Sequence, residues 1–347
     1  MTDQVLFEVF GNLGRITLNR PKALNALTTE MCTAMIKVLQ AWENDDRIGA
    51  VLVEGAGDRA FCAGGDIIML HDSGKAKDGR AEDFWRTEYA LNELIHRYKK
   101  PYIALMDGIV MGGGVGLSVH GRIRIAGDTT LFAMPETGIG FFPDVGGTYF
   151  LPRLGTAIGQ WLGLTGARLK TAQACALGVA TTYIPSEAHE AFAVALGRAE
   201  LDGSDAAVMD VIKAFVKTPP QAETLPDALQ AFEQPNPMDI LKALEVDAGE
   251  WATKQASLLK SKSPLAVHIT FEALKRGAEM NFREAMTQEL GLSLAFLTTQ
   301  DFFEGVRAAV IDKDRNPKWS SGGLALVNVF EMERHFVPPS SPLQFLD

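Results

Sequence analysis

Residues 101–154, PYIALMDGIVMGGGVGLSVHGRIRIAGDTTLFAMPETGIGFFPDVGGTYFLPRL, restrict the fold more than any other part of the chain. An apolar strand at 102–106 gives way to Gly112-Gly113-Gly114, which opens a helix reaching His120, and 122–126 then reads as another buried strand. Short apolar strands alternating with helices imply parallel pairing, since parallel neighbours need a crossover connection. Two carboxylates, Glu136 and Asp144, lie in turns otherwise built from Gly, Pro and apolar residues. Each follows a proline, whose fixed φ favours a rigid turn and a defined direction for the acid. Acids in such surroundings are costly to desolvate unless they are used or paired, which makes them candidate functional groups.

The rest of the first half repeats this rhythm. Residues 5–10 and 15–19 form a hairpin around Gly11-Asn12-Leu13-Gly14. Met31, Met35, Val38, Leu39 and Trp42 recur at helical spacing, with Thr28 or Thr29 available as N-cap. A strand at 48–53 precedes a second glycine turn, FCAGGDI at 61–67, and an amphipathic helix at 81–99 stops before Pro101. The expected fold class is α/β with a largely parallel sheet. Beyond residue 185 the strand signals fade, and 187–201, 206–216, 238–244, 264–275, 281–296 and 302–310 read as helices. The chain therefore divides into a core at 1–185 and a helical C-terminal region at 186–347, closed by an extended, proline-bearing tail, FVPPSSPLQFLD.

Composition narrows the function. With 347 residues and 47% apolar side chains the chain can fill a sizeable core. A net charge of −10 disfavours nucleic acid and anionic membranes as partners. Cys32, Cys62 and Cys175 lack metal-ligand spacing and suit a reducing compartment, so the expected location is the cytoplasm. The N-terminal MTDQVLFEVF has no basic region ahead of an apolar run and does not read as a signal peptide. Residues 101–119 are apolar except for Asp107, but the glycine run argues for a buried βα unit over a membrane span.

Three acids invite chemistry. Glu88 falls on the apolar stripe of its helix with Phe84, Leu91, Ile95 and Tyr98, either facing the interior as a functional group or pairing with Arg86 or Arg97. Asp144, ahead of Val145-Gly146-Gly147, is either a functional acid or the N-cap of the next helix; Glu136 is a poor cap type. A dinucleotide reading of the glycine run fails, because Leu117 stands where a small residue is needed and Glu136 lies past the end of the next strand. No histidine, His120 included, sits beside a nucleophile in an elbow-like context. Two glycine-lined donor sites with nearby carboxylates point to acyl chemistry, in which amides hold an oxyanion while a carboxylate attacks or activates water.

FCAGGDI, MGGGVGLSVHGRIRIA and FAMPETGIGFFPDVGGTYFLPRL, with LNRPKALNAL near the start, resemble the crotonase (enoyl-CoA hydratase/isomerase) superfamily, and most closely its 3-hydroxyisobutyryl-CoA hydrolase branch. The likeness is strong over about residues 5–185, and DFFEGVRAAVIDKDRNPKW from Asp301 is similar to the C-terminal element of that branch. The resemblance implies a crotonase-like ββα spiral core and an acyl-CoA ester as substrate, hydrolysed as a step of valine breakdown. It places CoA along Lys22, Ala23 and Leu24 and along Ala63, Gly64, Gly65, Asp66 and Ile67. It makes the amides of Ala63 and Gly113 the oxyanion hole, Glu136 and Asp144 the catalytic acids, and Glu88 a wall of the acyl pocket. CoA is part of the substrate; no metal or other cofactor is called for, and a trimer or hexamer is the family habit. Hydratases of the superfamily carry a second catalytic glutamate where this chain has Gly116, so hydratase or isomerase activity is the alternative and hydrolysis the favoured reading. A non-catalytic CoA-binding protein would have no use for both acids.

Overall fold

The computed structural model describes residues 2–346, so Asp347, the end of the expected tail, lies outside the described residues. Strands β1 (Val5–Phe10) and β2 (Leu13–Leu18) form the expected hairpin. Its turn is tighter than anticipated. Phe10 pairs directly with Leu13, leaving Gly11 (φ 58°) and Asn12 as a two-residue loop, and Leu13 is buried as a strand residue. Helix α1 (Thr29–Glu43) follows, capped by the Thr28 side chain, which accepts from the Met31 amide at 3.3 Å.

From there the chain winds as a spiral in which each turn contributes one strand to each of two sheets. Strand β3 (Ala50–Gly55) is followed by β4 (Ala60–Cys62) and the helices α2 (Ile67–Ala76) and α3 (Arg80–His96). The next turn has β5 (Tyr102–Met106), β6 (Ile109–Met111) and α4 (Gly113–Ser118). The third has β7 (Ile123–Ala126), β8 (Leu131–Ala133) and the short α5 (Gly147–Phe150). After α6 (Thr156–Thr165) come β9 (Leu169–Lys170), α7 (Thr171–Ala176) and β10 (Thr182–Tyr183). The larger sheet runs β1-β2-β3-β5-β7-β10, parallel beyond the hairpin; the smaller runs β4-β6-β8-β9, with β9 antiparallel. These ββα turns are the crotonase-like spiral core. The smaller sheet was not anticipated: its members are two or three residues long, too short to show a strand period.

The C-terminal region is helical, as expected: α8 (His189–Arg198), α9 (Asp205–Ile212), α10 (Pro237–Asp247), α11 (Glu250–Ser261), α12 (Pro264–Gly277), α13 (Phe282–Phe296) and α14 (Gln300–Val306). Helices α8 and α9 cover one face of the large sheet, burying Phe192, Leu196, Val208 and Ile212 against Ile103, Leu105 and Ile125. The others extend the main core, where Met286, Leu290 and Phe296 of α13 share one cluster with Tyr89, Leu91 and Leu117. Each such buried side chain contributes about 2 kcal/mol, which holds the helices over the ends of the spiral. The tail is extended, as its prolines predict, and Arg86 donates to the carbonyls of Ser341 (2.9 Å) and Pro342 (3.0 Å). Among the described residues, no helix is long and apolar enough to cross a membrane.

Candidate active site

A cavity of about 770 Å³ opens where the two glycine turns meet the Glu136 and Asp144 turns. Its wall takes in Ala63, Gly64, Gly65, Ile67, Glu88, Gly113, Glu136 and Asp144, so the sequence-predicted acids and most of the predicted backbone donors come together. Phe84, Trp85, Ile139 and Phe141 supply apolar wall, with the Trp85 and Phe141 rings stacked at 5.7 Å. Lys22, Ala23, Leu24 and Asp66 do not line it. Asp66 instead caps α2, accepting from the Met69 amide at 3.3 Å, and pairs with Arg20 at 3.4 Å. The carboxylate is thereby occupied in holding the glycine turn.

One predicted donor needs correction. Residues 24–27 run alongside 63–66, and the Ala63 amide donates to the Leu24 carbonyl at 3.0 Å. That N–H is spent. Next along, the Leu27 amide donates to the Gly64 carbonyl at 2.8 Å. In a trans peptide C=O and N–H point in opposite directions, so the Gly65 N–H of that peptide is turned away from Leu27. Gly113 lies next to that peptide: a side-chain carbon on Gly113 would stand 3.3 Å from the Gly64 carbonyl carbon. Among the described residues neither the Gly65 nor the Gly113 amide has a protein acceptor. Gly113 is the first residue of α4, where amides lack intrahelical partners.

The acids are buried. Glu88 sits on the inner face of α3, and a side-chain carbon on Gly113 would come within 2.5 Å of its Oε1. Neither arginine considered as its partner reaches it: Arg86 pairs with Glu82 at 2.7 Å and Arg97 with Glu93 at 3.1 Å. Burial first, then the charges of Asp144 and Glu289, push the Glu88 carboxyl well above the usual range. Glu136 opens a short 3-10 turn (Glu136–Ile139), its Oε1 about 3.5 Å from where a Gly112 side chain would begin, and its buried Oε2 has no hydrogen-bond partner among the described residues. Its carboxyl is likewise raised, by burial and then by Asp144, against a smaller opposing pull from Lys262.

Asp144 does not cap α5. That helix starts at Gly147 behind Gly146, with no side-chain cap. The Asp144 side chain instead accepts a hydrogen bond from the Tyr89 hydroxyl at 2.8 Å, while burial pushes its carboxyl up to about 7. The turn beneath it is strained, since the β-branched Val145 has φ 52°. His120, neutral because burial lowers it to about 3, donates from Nε2 to the Val145 carbonyl at 2.7 Å. Glu289 of α13 accepts from the amides of Gly146 (2.7 Å) and Thr148 (2.9 Å) and from the Thr148 hydroxyl. These two clamps hold the turn. Sequence reading missed Tyr89, Glu289 and Ser293, whose partners lie far along the chain. It also missed Arg168, Lys262 and Arg315, which line the cavity and form no ion pair among the described residues. Gly116 has no room for a side chain: the first carbon would fall 2.7 Å from Asn92 Nδ2 and 2.8 Å from Val145 Cβ.

Residues 13–336 match the enoyl-CoA hydratase/isomerase family. The chain is 45% identical over 338 residues to the 3-hydroxyisobutyryl-CoA hydrolase, mitochondrial, of Danio rerio, covering 94% of this chain and 87% of that protein. It is 41% identical over 359 residues to the protein of the same name from Homo sapiens, covering 99% and 91%. Its fold superposes on a carnitinyl-CoA dehydratase from Mycobacterium thermoresistibile with TM-score 0.91 and 41% identity, covering 99% of both chains. The two hydrolases are named as mitochondrial, which overturns the cytoplasmic expectation. Free cysteines suit any reducing compartment, the mitochondrial matrix included, so they could not separate the two.

Proposed function

Because the chain belongs to the enoyl-CoA hydratase/isomerase family, we propose that it is a thioester hydrolase acting on 3-hydroxyisobutyryl-CoA. The observation that carries this reading is Glu136. Its carboxyl has an unpartnered oxygen and a raised proton affinity, in a cavity with two unoccupied amide donors. In this reading the thioester oxygen sits between the Gly113 and Gly65 N–H groups, each contributing about 3 kcal/mol as charge develops on it. Glu136 attacks the carbonyl carbon or takes a proton from the attacking water. CoA leaves as the thiolate, and water completes the hydrolysis. Asp144 holds water or the substrate hydroxyl and, through its charge, keeps the proton affinity of Glu136 high. Arg168, Lys262 and Arg315 are the cations placed to meet the CoA phosphates. Every step uses the chain's own side chains and amides, with CoA entering as part of the substrate.

Hydration of a double bond is the second reading, favoured by the name of the dehydratase of like fold. It needs a partner acid where Gly116 leaves no space. Thiol release across a panel of acyl-CoA esters, beside absorbance-monitored hydration of crotonyl-CoA, decides between them. Release of CoA from 3-hydroxyisobutyryl-CoA is the expected result; crotonyl-CoA turnover without free thiol would overturn it. Light scattering tests whether the protein forms the trimer or hexamer common in its family, and native mass spectrometry places its copies.

A further inference from the structure

Asp144 has a partner that the hydrolase reading does not use. Tyr89, fully buried on α3, donates its hydroxyl hydrogen to Asp144 Oδ2 at 2.8 Å, and the Tyr89 hydroxyl oxygen lies 2.7 Å from the Ser293 hydroxyl of α13. Ser293 is itself fully buried. When Asp144 is charged, hydrogens run one way: Ser293 donates to Tyr89, and Tyr89 donates to the carboxylate. When Asp144 is protonated the direction reverses, with the carboxyl donating to Tyr89 and Tyr89 to Ser293. A lysine or amide donor in place of Tyr89 would serve the charged state alone. A hydroxyl backed by a second hydroxyl serves both, because each can turn from donor to acceptor when the carboxyl takes up its proton.

We propose that Tyr89, oriented by Ser293, is a positioning residue that fixes which oxygen of Asp144 faces the cavity and sets the balance between its charged and neutral forms. The inference rests on the hydrolase reading for its catalytic meaning, but its physical content does not depend on the reaction. The other groups facing Asp144 are Glu88 on α3, Glu136 on its own turn, Glu289 on α13 and His120 beyond α4. The charge of Asp144 raises the proton affinity of all three acids, and His120 is neutral, held to the Val145 carbonyl. Among the described residues Tyr89 is the side chain that hydrogen-bonds Asp144, and its loss removes a bond that is stronger to the charged form.

The test is a carbon-13 NMR titration of the substrate-free protein labelled at the aspartate carboxyl carbons, with the Asp144 signal assigned by Asp144→Asn. Tyr89→Phe should move the Asp144 midpoint upward by about one pH unit. Ser293→Ala, which leaves Tyr89 in place but unsupported, should move it in the same direction by less. Both variants should lower kcat for the CoA ester while KM stays within about twofold, since neither touches the CoA path. An unchanged midpoint in a folded Tyr89→Phe protein would overturn the proposal; if that variant does not fold, an unchanged midpoint in Ser293→Ala does so alone. Because the titration needs no substrate, a shift without any hydrolase activity would sink the functional reading and leave Tyr89's role standing.

Discussion

Asp144→Asn should make the protein more stable while making it inactive, and the gain should depend on pH. Burial raises the Asp144 carboxyl from 3.8 to about 7. The unfolded chain therefore ionises first. Below about pH 4 both states hold the proton and the site costs nothing; as pH rises the unfolded state is favoured by about 1.4 kcal/mol per unit, until the folded carboxyl ionises as well. The cost is about 1.5 kcal/mol near pH 5 and levels off at about 4 kcal/mol above pH 7, as an order of magnitude. An asparagine carries no charge and escapes this cost, and the Tyr89 bond to the carboxylate is already contained in the value of about 7. The gain is therefore about 1.5 kcal/mol near pH 5. Near pH 8 the variant should be more stable by about 4 kcal/mol, or roughly 5–6 °C in Tm for a chain of this length. Relief of like charge on Glu88 and Glu136 acts in the same direction. Denaturant unfolding followed by fluorescence at both pH values reads this directly. A variant less stable than its parent at the higher pH, or a gain equal at both, would refute the burial argument.

Gly113→Val places a side-chain carbon against Glu88 Oε1 and Leu27 Cδ1, both flexible ends, so circular dichroism should be unchanged while kcat falls about 100-fold. Gly116→Glu, which installs the acid of a hydratase, collides with Asn92 and Val145; it should cost about 1–3 kcal/mol of stability and yield no hydration of crotonyl-CoA. Isobutyryl-CoA should be cleaved at least about 100-fold less efficiently than its 3-hydroxy analogue, because acids that meet a hydroxyl are left unpaired without it; comparable kcat/KM values would end hydroxyl recognition. Single turnover in oxygen-18 water tests the role of Glu136: label in the Glu136 peptide is expected for an attacking carboxylate whose anhydride is opened at the glutamyl carbonyl, and labelled product with unlabelled peptide would exclude that route.

The acid-bearing turns were legible because proline and glycine write backbone geometry into the sequence, and so were β5 and the helices that carry Glu88 and Gly113. What escaped depended on pairing between distant segments. Whether Ala63 or Gly65 offers a free N–H turns on which carbonyl of residues 24–27 lies opposite and on the positive φ of Gly64 between them, which breaks the two-residue alternation of an extended segment. The strands β4, β6 and β8 exist because the spiral stacks them, with little preference of their own. Tyr89 lies outside the stripe of Phe84, Leu91, Ile95 and Tyr98, and nothing local to Ser293 or Glu289 shows that α13 delivers them to a turn more than 140 residues earlier.

That delivery bears on how the protein is made. A ribosome releases the spiral, with Glu88, Gly113, Glu136 and Asp144, well before α13 and the residues from Gly305 to Pro317 that complete the cavity wall. In the unfinished chain the strained Val145 turn lacks Glu289, and water still reaches the carboxyls. Their raised proton affinities come into being when the last helices dock. In a refolding experiment, thioester cleavage should therefore lag behind the spectroscopic return of the sheets and keep time with the burial of α13, so that turnover itself reports that synthesis and folding have both finished.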